Sequence, residues 1–132
     1  MQAITVMLTG AGAPGAPGVI KSLRDNGERQ IRLVGVDACS EAVGFKLTEA
    51  SYQIPLANEA CFADRLLEIA KAESVSVILP LVTSELEILS LNKAKFENQG
   101  VLVSVSDYYP LEIANNKGKL LNYMKAQGLA VP

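Results

Sequence analysis

The run Gly10-Ala11-Gly12-Ala13-Pro14-Gly15 has the glycine spacing G-x-G-x-x-G. Glycines at that spacing let a backbone turn tightly and approach a phosphate closely. The run follows an apolar, β-branched stretch, Ile4 to Leu8, and precedes Val19, Ile20 and Leu23, which recur at helical spacing. That places it between a strand and a helix, where the helix N-terminus offers free N–H groups to an anion. Asp37 closes a second apolar stretch, Ile31 to Val36, and is positioned like an acid that accepts ribose hydroxyls. Against a dinucleotide cradle stand Pro14 and Pro17, each of which removes a backbone donor from the loop. A bound nucleotide cofactor and a purely structural tight turn both remain open on these residues alone.

Two further groups could do chemistry. Thr83, Glu85 and Glu87 follow Pro80 at a helix start. Carboxylates there either cap the helix or point into a crevice, and two acids two residues apart do not form a facing pair. Lys117, in Asn116-Lys117-Gly118-Lys119, sits in a first helical turn, where the macrodipole disfavours a cation unless an anion is shared. The alternative is a solvated surface lysine. Cys39 and Cys61 have no metal or redox spacing, and no histidine is present to activate them. They are expected to be buried or half-buried free thiols of a reducing cytoplasm, and no metal site is expected. Tyr108 and Tyr109, beside Pro110, are expected to pack under a loop.

The elements that must position these residues alternate. After the first β-α-β unit, the pattern predicts a short strand over Ser51 to Ile54 and a helix burying Phe62, Leu66, Ile69 and Ala70. Strands over Val75 to Leu79 and Val101 to Val105 flank one helix carrying Leu86, Leu89 and Phe96, with Ile88 and Leu91 on its other side. Asp107 is a plausible cap for a short helix ending near Ala114. Asn115 or Asn116 caps a last helix with Leu120, Leu121 and Met124, which stops at Gly128. The expected fold is therefore α/β: three Rossmann-like layers around a mostly parallel five-stranded sheet. In such sheets ligands sit beyond the carboxyl ends of the strands where the order reverses, which selects Thr9 to Gly18 and Pro80 to Glu87.

Composition narrows the function. The 132 residues are 49% hydrophobic and 20% charged, with a net charge of −2, enough for one self-sufficient core. A chain with no concentrated basic field is a poor match to nucleic acid or an anionic membrane, and no apolar run is long enough to span a bilayer.

Taken with Val34-Gly35-Val36-Asp37, Ala42-Val43-Gly44-Phe45, Ile78 to Glu87 and Ile113 to Lys117, the glycine run resembles the pre-ATP-grasp domain. This is the N-terminal domain of ATP-grasp proteins akin to the carbamoyl-phosphate synthase large chain, and the resemblance covers essentially the whole chain. It implies residues 1–114 as the Rossmann-like domain and 115–132 as a linker helix leading into an ATP-grasp domain that this chain lacks. It implies a parent enzyme that joins a carboxylate to an amine through an acylphosphate, using ATP and magnesium, with no catalysis by this chain alone and no tight cofactor binding. Gly10, Gly12, Gly15, Asp37, Thr83 and Glu85 would line the site of a small-molecule carboxylate, and Lys117 would contact nucleotide phosphates. Asn116 stands where the family often has Asp, which keeps a capping acceptor and loses a charge. The expected partner is the missing domain or a separate chain carrying it, and an exposed docking face could also drive self-association. Two other readings are a free-standing NAD(P)- or nucleotide-binding module, with Asp37 on the ribose, and a scaffolding piece that docks a partner.

Overall fold

The computed structural model describes residues 2–132. A single sheet contains β1 (Ile4–Thr9), β2 (Ile31–Asp37), β3 (Ala50–Gln53), β4 (Val77–Pro80) and β5 (Leu102–Val103). Its strand order is β3-β2-β1-β4-β5 and every pairing is parallel. The helices are α1 (Ala16–Arg24), α2 (Phe62–Ala72), α3 (Thr83–Leu91), α4 (Lys93–Glu97), α5 (Tyr108–Ala114) and α6 (Lys117–Ala126), with a 3-10 turn at Val43–Lys46.

The central strands are mostly apolar, with Val6 to Leu8 and Leu33 to Val36 buried, because both faces are covered. Side chains alternate across the sheet, so Met7 falls beside Val34 and Ile78 in register. These three pack on one face with Phe62, Leu66 and Ile69 of α2, Leu89 of α3 and Phe96 of α4. Val6, Leu8 and Leu33 face the other way and meet Ile20 of α1. The expected three layers are thus present, with the larger core under α2, α3 and α4.

Several local expectations are corrected. Strand β3 begins and ends one residue earlier than predicted, and β5 is shortened to two residues, although Ser104 N–H still donates to Ile78 O at 2.9 Å. The helix expected to run from Leu86 past Phe96 is two helices. The Asn92 side-chain amide donates to Ile88 O at 2.8 Å, a local side chain–backbone bond of the kind that competes with helix propagation. Of the two residues on the far side of that helix, Ile88 packs on the main core, whereas Leu91 is 58% exposed.

Both cysteines are exposed and free rather than buried, because Cys39 follows β2 and Cys61 precedes α2 on connecting loops. Tyr109 is also exposed instead of lying under a loop. Asp107 is the N-cap of α5 but makes no capping bond; its carboxylate pairs with Lys93 at 3.1 Å. Asn116, in contrast, caps α6 by accepting from Lys119 N–H at 3.0 Å.

Candidate functional site

The sheet order reverses between β1 and β4, so the ends of these strands, Thr9 and Pro80, lie in register. The two segments that follow are locked together. Leu81 N–H donates to Thr9 O at 3.2 Å. Gly10 has φ +67°, and a Cβ there would stand 2.2 Å from Val82 Cγ2. Only glycine meets both demands, left-handed backbone and close approach, at the point where the glycine turn lies on the β4–α3 connection.

Glu85, in the first turn of α3, reaches back across this junction, and the Thr9 hydroxyl donates to its carboxylate. Thr9 is fully buried and Glu85 is 7% exposed. Glu85 therefore does not serve as a helix cap; Val82 occupies the N-cap position. Burial holds the Glu85 carboxyl above the usual carboxylate range and the negative charge of Asp37 pushes the same way, while the Thr9 hydrogen bond opposes them. A desolvated carboxyl holds its proton to a higher pH than a solvated one.

Asp37 is engaged inside the chain. Its two oxygens accept from Gly12 N–H and Cys39 N–H, each at 2.8 Å. Three further amides around the glycine turn donate within the chain: Ala11 N–H to Val36 O, Ala13 N–H to Gly10 O, and Ala16 N–H to Ala13 O. Pro14 and Pro17 have none. The Ala11, Gly12 and Ala13 amides are therefore braced within the chain and withdrawn from the fan of free donors that a pyrophosphate cradle requires. Gly15, the N-cap of α1, has open space around it, with nothing within 4 Å of an added Cβ.

Two contact pairs, Thr9 with Glu85 and Gly12 with Asp37, thus flank Gly10 at the carboxyl ends of β1, β2 and β4. Thr83 is exposed at the start of α3, on the rim of the same end. Lys117 is exposed at the first position of α6, on the helix pair outside the two core clusters. Thr9 escaped the sequence reading as a site residue. The available signal was a hydroxyl-bearing residue ending an apolar strand immediately before the turn glycine.

A second concavity lies between α3, α5 and α6. It has a volume of about 190 Å³ and is bounded by Glu87, Tyr108, Leu111, Glu112, Asn115 and Lys119, among others. Lys119 pairs with Glu112 across it, and that bond keeps the Lys119 ammonium charged above the ordinary lysine range. Glu87 points away from Glu85, as their spacing on α3 requires.

A parallel sheet reversing between its first and fourth strands, with a glycine turn clamped to the β4–α3 connection, defines a Rossmann-like domain of the pre-ATP-grasp class. Residues 6–104 match the family model described as PylC-like, N-terminal domain, and the chain belongs to that family. No curated protein matches it in sequence. Solved structures show the same fold. The biotin carboxylase domain of a thermophilic 2-oxoglutarate carboxylase, bound to bicarbonate, superposes with a TM-score of 0.69 at 19% identity, covering 96% of this chain and 28% of that one. Glycinamide-RNase-transformylase T from Mycobacterium tuberculosis gives 0.66 at 15% identity, covering 97% and 36%. An NAD complex of dTDP-glucose 4,6-dehydratase from Bacillus anthracis gives 0.55 at 10% identity over 76% of this chain. The chain thus spans about a third of the length of the first two structures.

Proposed function

We propose that this chain is the substrate-side, N-terminal domain of an ATP-dependent carboxylate–amine ligase of the ATP-grasp type, similar to the carbamoyl-phosphate synthase large chain, and that it does not catalyse ligation alone. Gly10, Gly12 and Gly15 with Thr83 and Glu85 form the wall against which a small carboxylate substrate lies, and Asp37 holds that wall in shape. Residues 115–132 connect to the ATP-grasp domain, with Lys117 turned toward nucleotide phosphates. Solved structures that share the fold are about three times longer, which accords with further domains in the parent protein.

The observation that carries this reading over a dinucleotide module is the internal use of the Ala11, Gly12 and Ala13 amides and of both Asp37 oxygens. A ribose would share an Asp37 carboxylate that already accepts two backbone N–H bonds, and a pyrophosphate would find the Ala11, Gly12 and Ala13 amides engaged elsewhere. Magnesium does not fit this chain's residues: among those described, no three His, Cys, Asp or Glu side chains are grouped to hold a metal ion. In this proposal its ligands belong to the ATP-grasp domain, and no step is assigned to it here. The two exposed, unpaired thiols agree with a reducing cytoplasm, and no helix among the described residues is long and apolar enough to cross a membrane.

Calorimetric titration with NADH, NADPH and Mg-ATP tests the reading. The expected outcome is weak or absent binding of all three. Micromolar NADH binding that disappears in Asp37→Ala overturns the proposal in favour of a nicotinamide-binding module.

A further inference from the structure

The peptide group between Ala11 and Gly12 is held at both ends by the end of β2 and the connection that follows it. Its N–H donates to Asp37 Oδ2 at 2.8 Å, and its C=O accepts from Gly44 N–H at 3.0 Å. Gly44 is the second residue of the 3-10 turn Val43–Lys46. An N–H there has no partner inside the turn, so Ala11 O satisfies an otherwise orphaned donor. The contact has no room for a side chain: a Cβ on Gly44 would stand 2.3 Å from Ala11 O and 2.9 Å from Ala11 Cβ. On β2, a Cβ on Gly35 would come within 3.3 Å of the same Ala11 methyl, and Ala11 is fully buried. The two glycines thus leave a gap that one methyl fills. Both holds on the peptide belong to one stretch of chain that is tied to itself. Asp37 also accepts from Cys39 N–H, Cys39 O accepts from Ala42 N–H at 3.3 Å, and the Thr48 hydroxyl donates to Gly44 O at 3.1 Å.

We infer that Gly44 is a positioning residue of the proposed substrate wall, acting with Asp37 as a two-ended latch on the Ala11–Gly12 peptide. A peptide plane is rigid, so turning its N–H toward a bound anion also turns its C=O away from Gly44. Either hold resists that rotation. The latch keeps the Gly12 amide on Asp37, withdraws it from phosphate groups, and fixes Gly10 and Gly12 in one relief for a smaller ligand. The inference rests on the ligase reading for what that relief receives, and on the hydrogen bonds alone for the latch. Because Gly44 and Asp37 act through the same peptide, the latch differs from ordinary loop packing in one measurable way. Once one hold is lost, the other has little left to hold.

Amide hydrogen exchange, followed by NMR on the 132-residue chain, tests the latch. Gly44→Ala should speed exchange at Gly12 roughly tenfold or more, as expected for loss of a hydrogen bond to a charged acceptor, and beyond any change at the β1 and β2 amides of Met7 and Val34. Asp37→Ala should act similarly, and the double variant should exceed the faster single variant by no more than about twofold, the mark of two groups acting through one. Gly12 exchange that rises only in proportion to the sheet amides, or effects of the two substitutions that multiply, overturn the inference and leave Gly44 a packing role. Thr48→Val covers the case in which Gly44→Ala does not fold. It keeps the side-chain shape, removes the hydroxyl bond to Gly44 O, and should speed Gly12 exchange a few-fold with the sheet amides unchanged; an unchanged Gly12 overturns the latch equally. NADH titration keeps the two proposals apart: tight NADH binding removes the ligase reading without altering the exchange result, whereas failure of the exchange pattern removes only the latch.

Discussion

Replacing Thr9 by valine deletes one hydroxyl at a fully buried position and keeps the side-chain shape. Glu85, 7% exposed, then loses the partner that stabilises its charged form. A buried acceptor left unpaired costs about 1–3 kcal/mol, a substantial share of the roughly 5–15 kcal/mol that holds a domain together. Thr9→Val is therefore expected to lower the urea-unfolding free energy at pH 7 by that amount. The double variant Thr9→Val/Glu85→Gln should recover part of the loss, because a neutral amide is less costly to bury than an ion. The pH dependence has a definite sign. The folded Glu85 carboxyl lies above its ordinary value of 4.5, so between 4.5 and the folded value the native state binds more protons than the unfolded one, and stability falls as pH rises through that window. Glu85→Gln should flatten this slope. Thr9→Val should extend it to higher pH, since the hydroxyl is what holds the carboxyl down. Urea unfolding from pH 4 to 8 across the four proteins measures all of this. Strict additivity of the two substitutions at pH 7, within about 0.5 kcal/mol, would refute the claim that Thr9 and Glu85 act as one unit.

Gly10→Ala should destabilise by more than about 2 kcal/mol, from strained positive φ and the collision with Val82, while Gly15→Ala, facing open space, should change stability by no more than about 0.5 kcal/mol; thermal unfolding compares them. Asp37→Ala frees the Gly12 and Cys39 amides and should loosen the glycine turn, seen as faster amide hydrogen exchange at Gly12 with the β-sheet amides unaffected. On the proposed reading, Lys117→Ala in a longer protein carrying an ATP-grasp domain should raise the Michaelis constant for ATP; an unchanged constant removes the phosphate role. Phe96→Ala, at a fully buried position, should cost about 3–5 kcal/mol by urea unfolding, since α4 is tied to the main core through that ring.

The strands and α2 were legible because burial on both faces of a parallel sheet leaves uninterrupted apolar runs, as at Ile4 to Leu8, and because α2 repeats its buried residues at helical period. The break at Asn92 was not, since the apolar periodicity from Leu86 to Phe96 continues across it and only a side-chain hydrogen bond to Ile88 marks the interruption. The exposure of Cys39 and Cys61 was hidden for a similar reason: residue type sets a tendency to be buried, and loop position decided against it. At the candidate site, glycine spacing and the switch-point rule selected Thr9 to Gly18 and Pro80 to Glu87, segments that the fold brings together at the carboxyl ends of β1 and β4. They could not say that Asp37 would accept from backbone N–H groups on both oxygens, or that Glu85 would turn inward to Thr9 while Glu87 stays exposed.

By itself the sequence determined the parallel α/β architecture, the two loops at its carboxyl end and the resemblance to the pre-ATP-grasp class, since each rests on local period, turn chemistry or motif order. The tertiary structure decided which polar groups are spent and which stay available. Thr9 and Glu85 lie 76 positions apart in the chain and meet only because β1 and β4 are neighbours in the sheet. Hydrogen bonds between groups so distant are set by the packing of whole elements, and no local pattern records them.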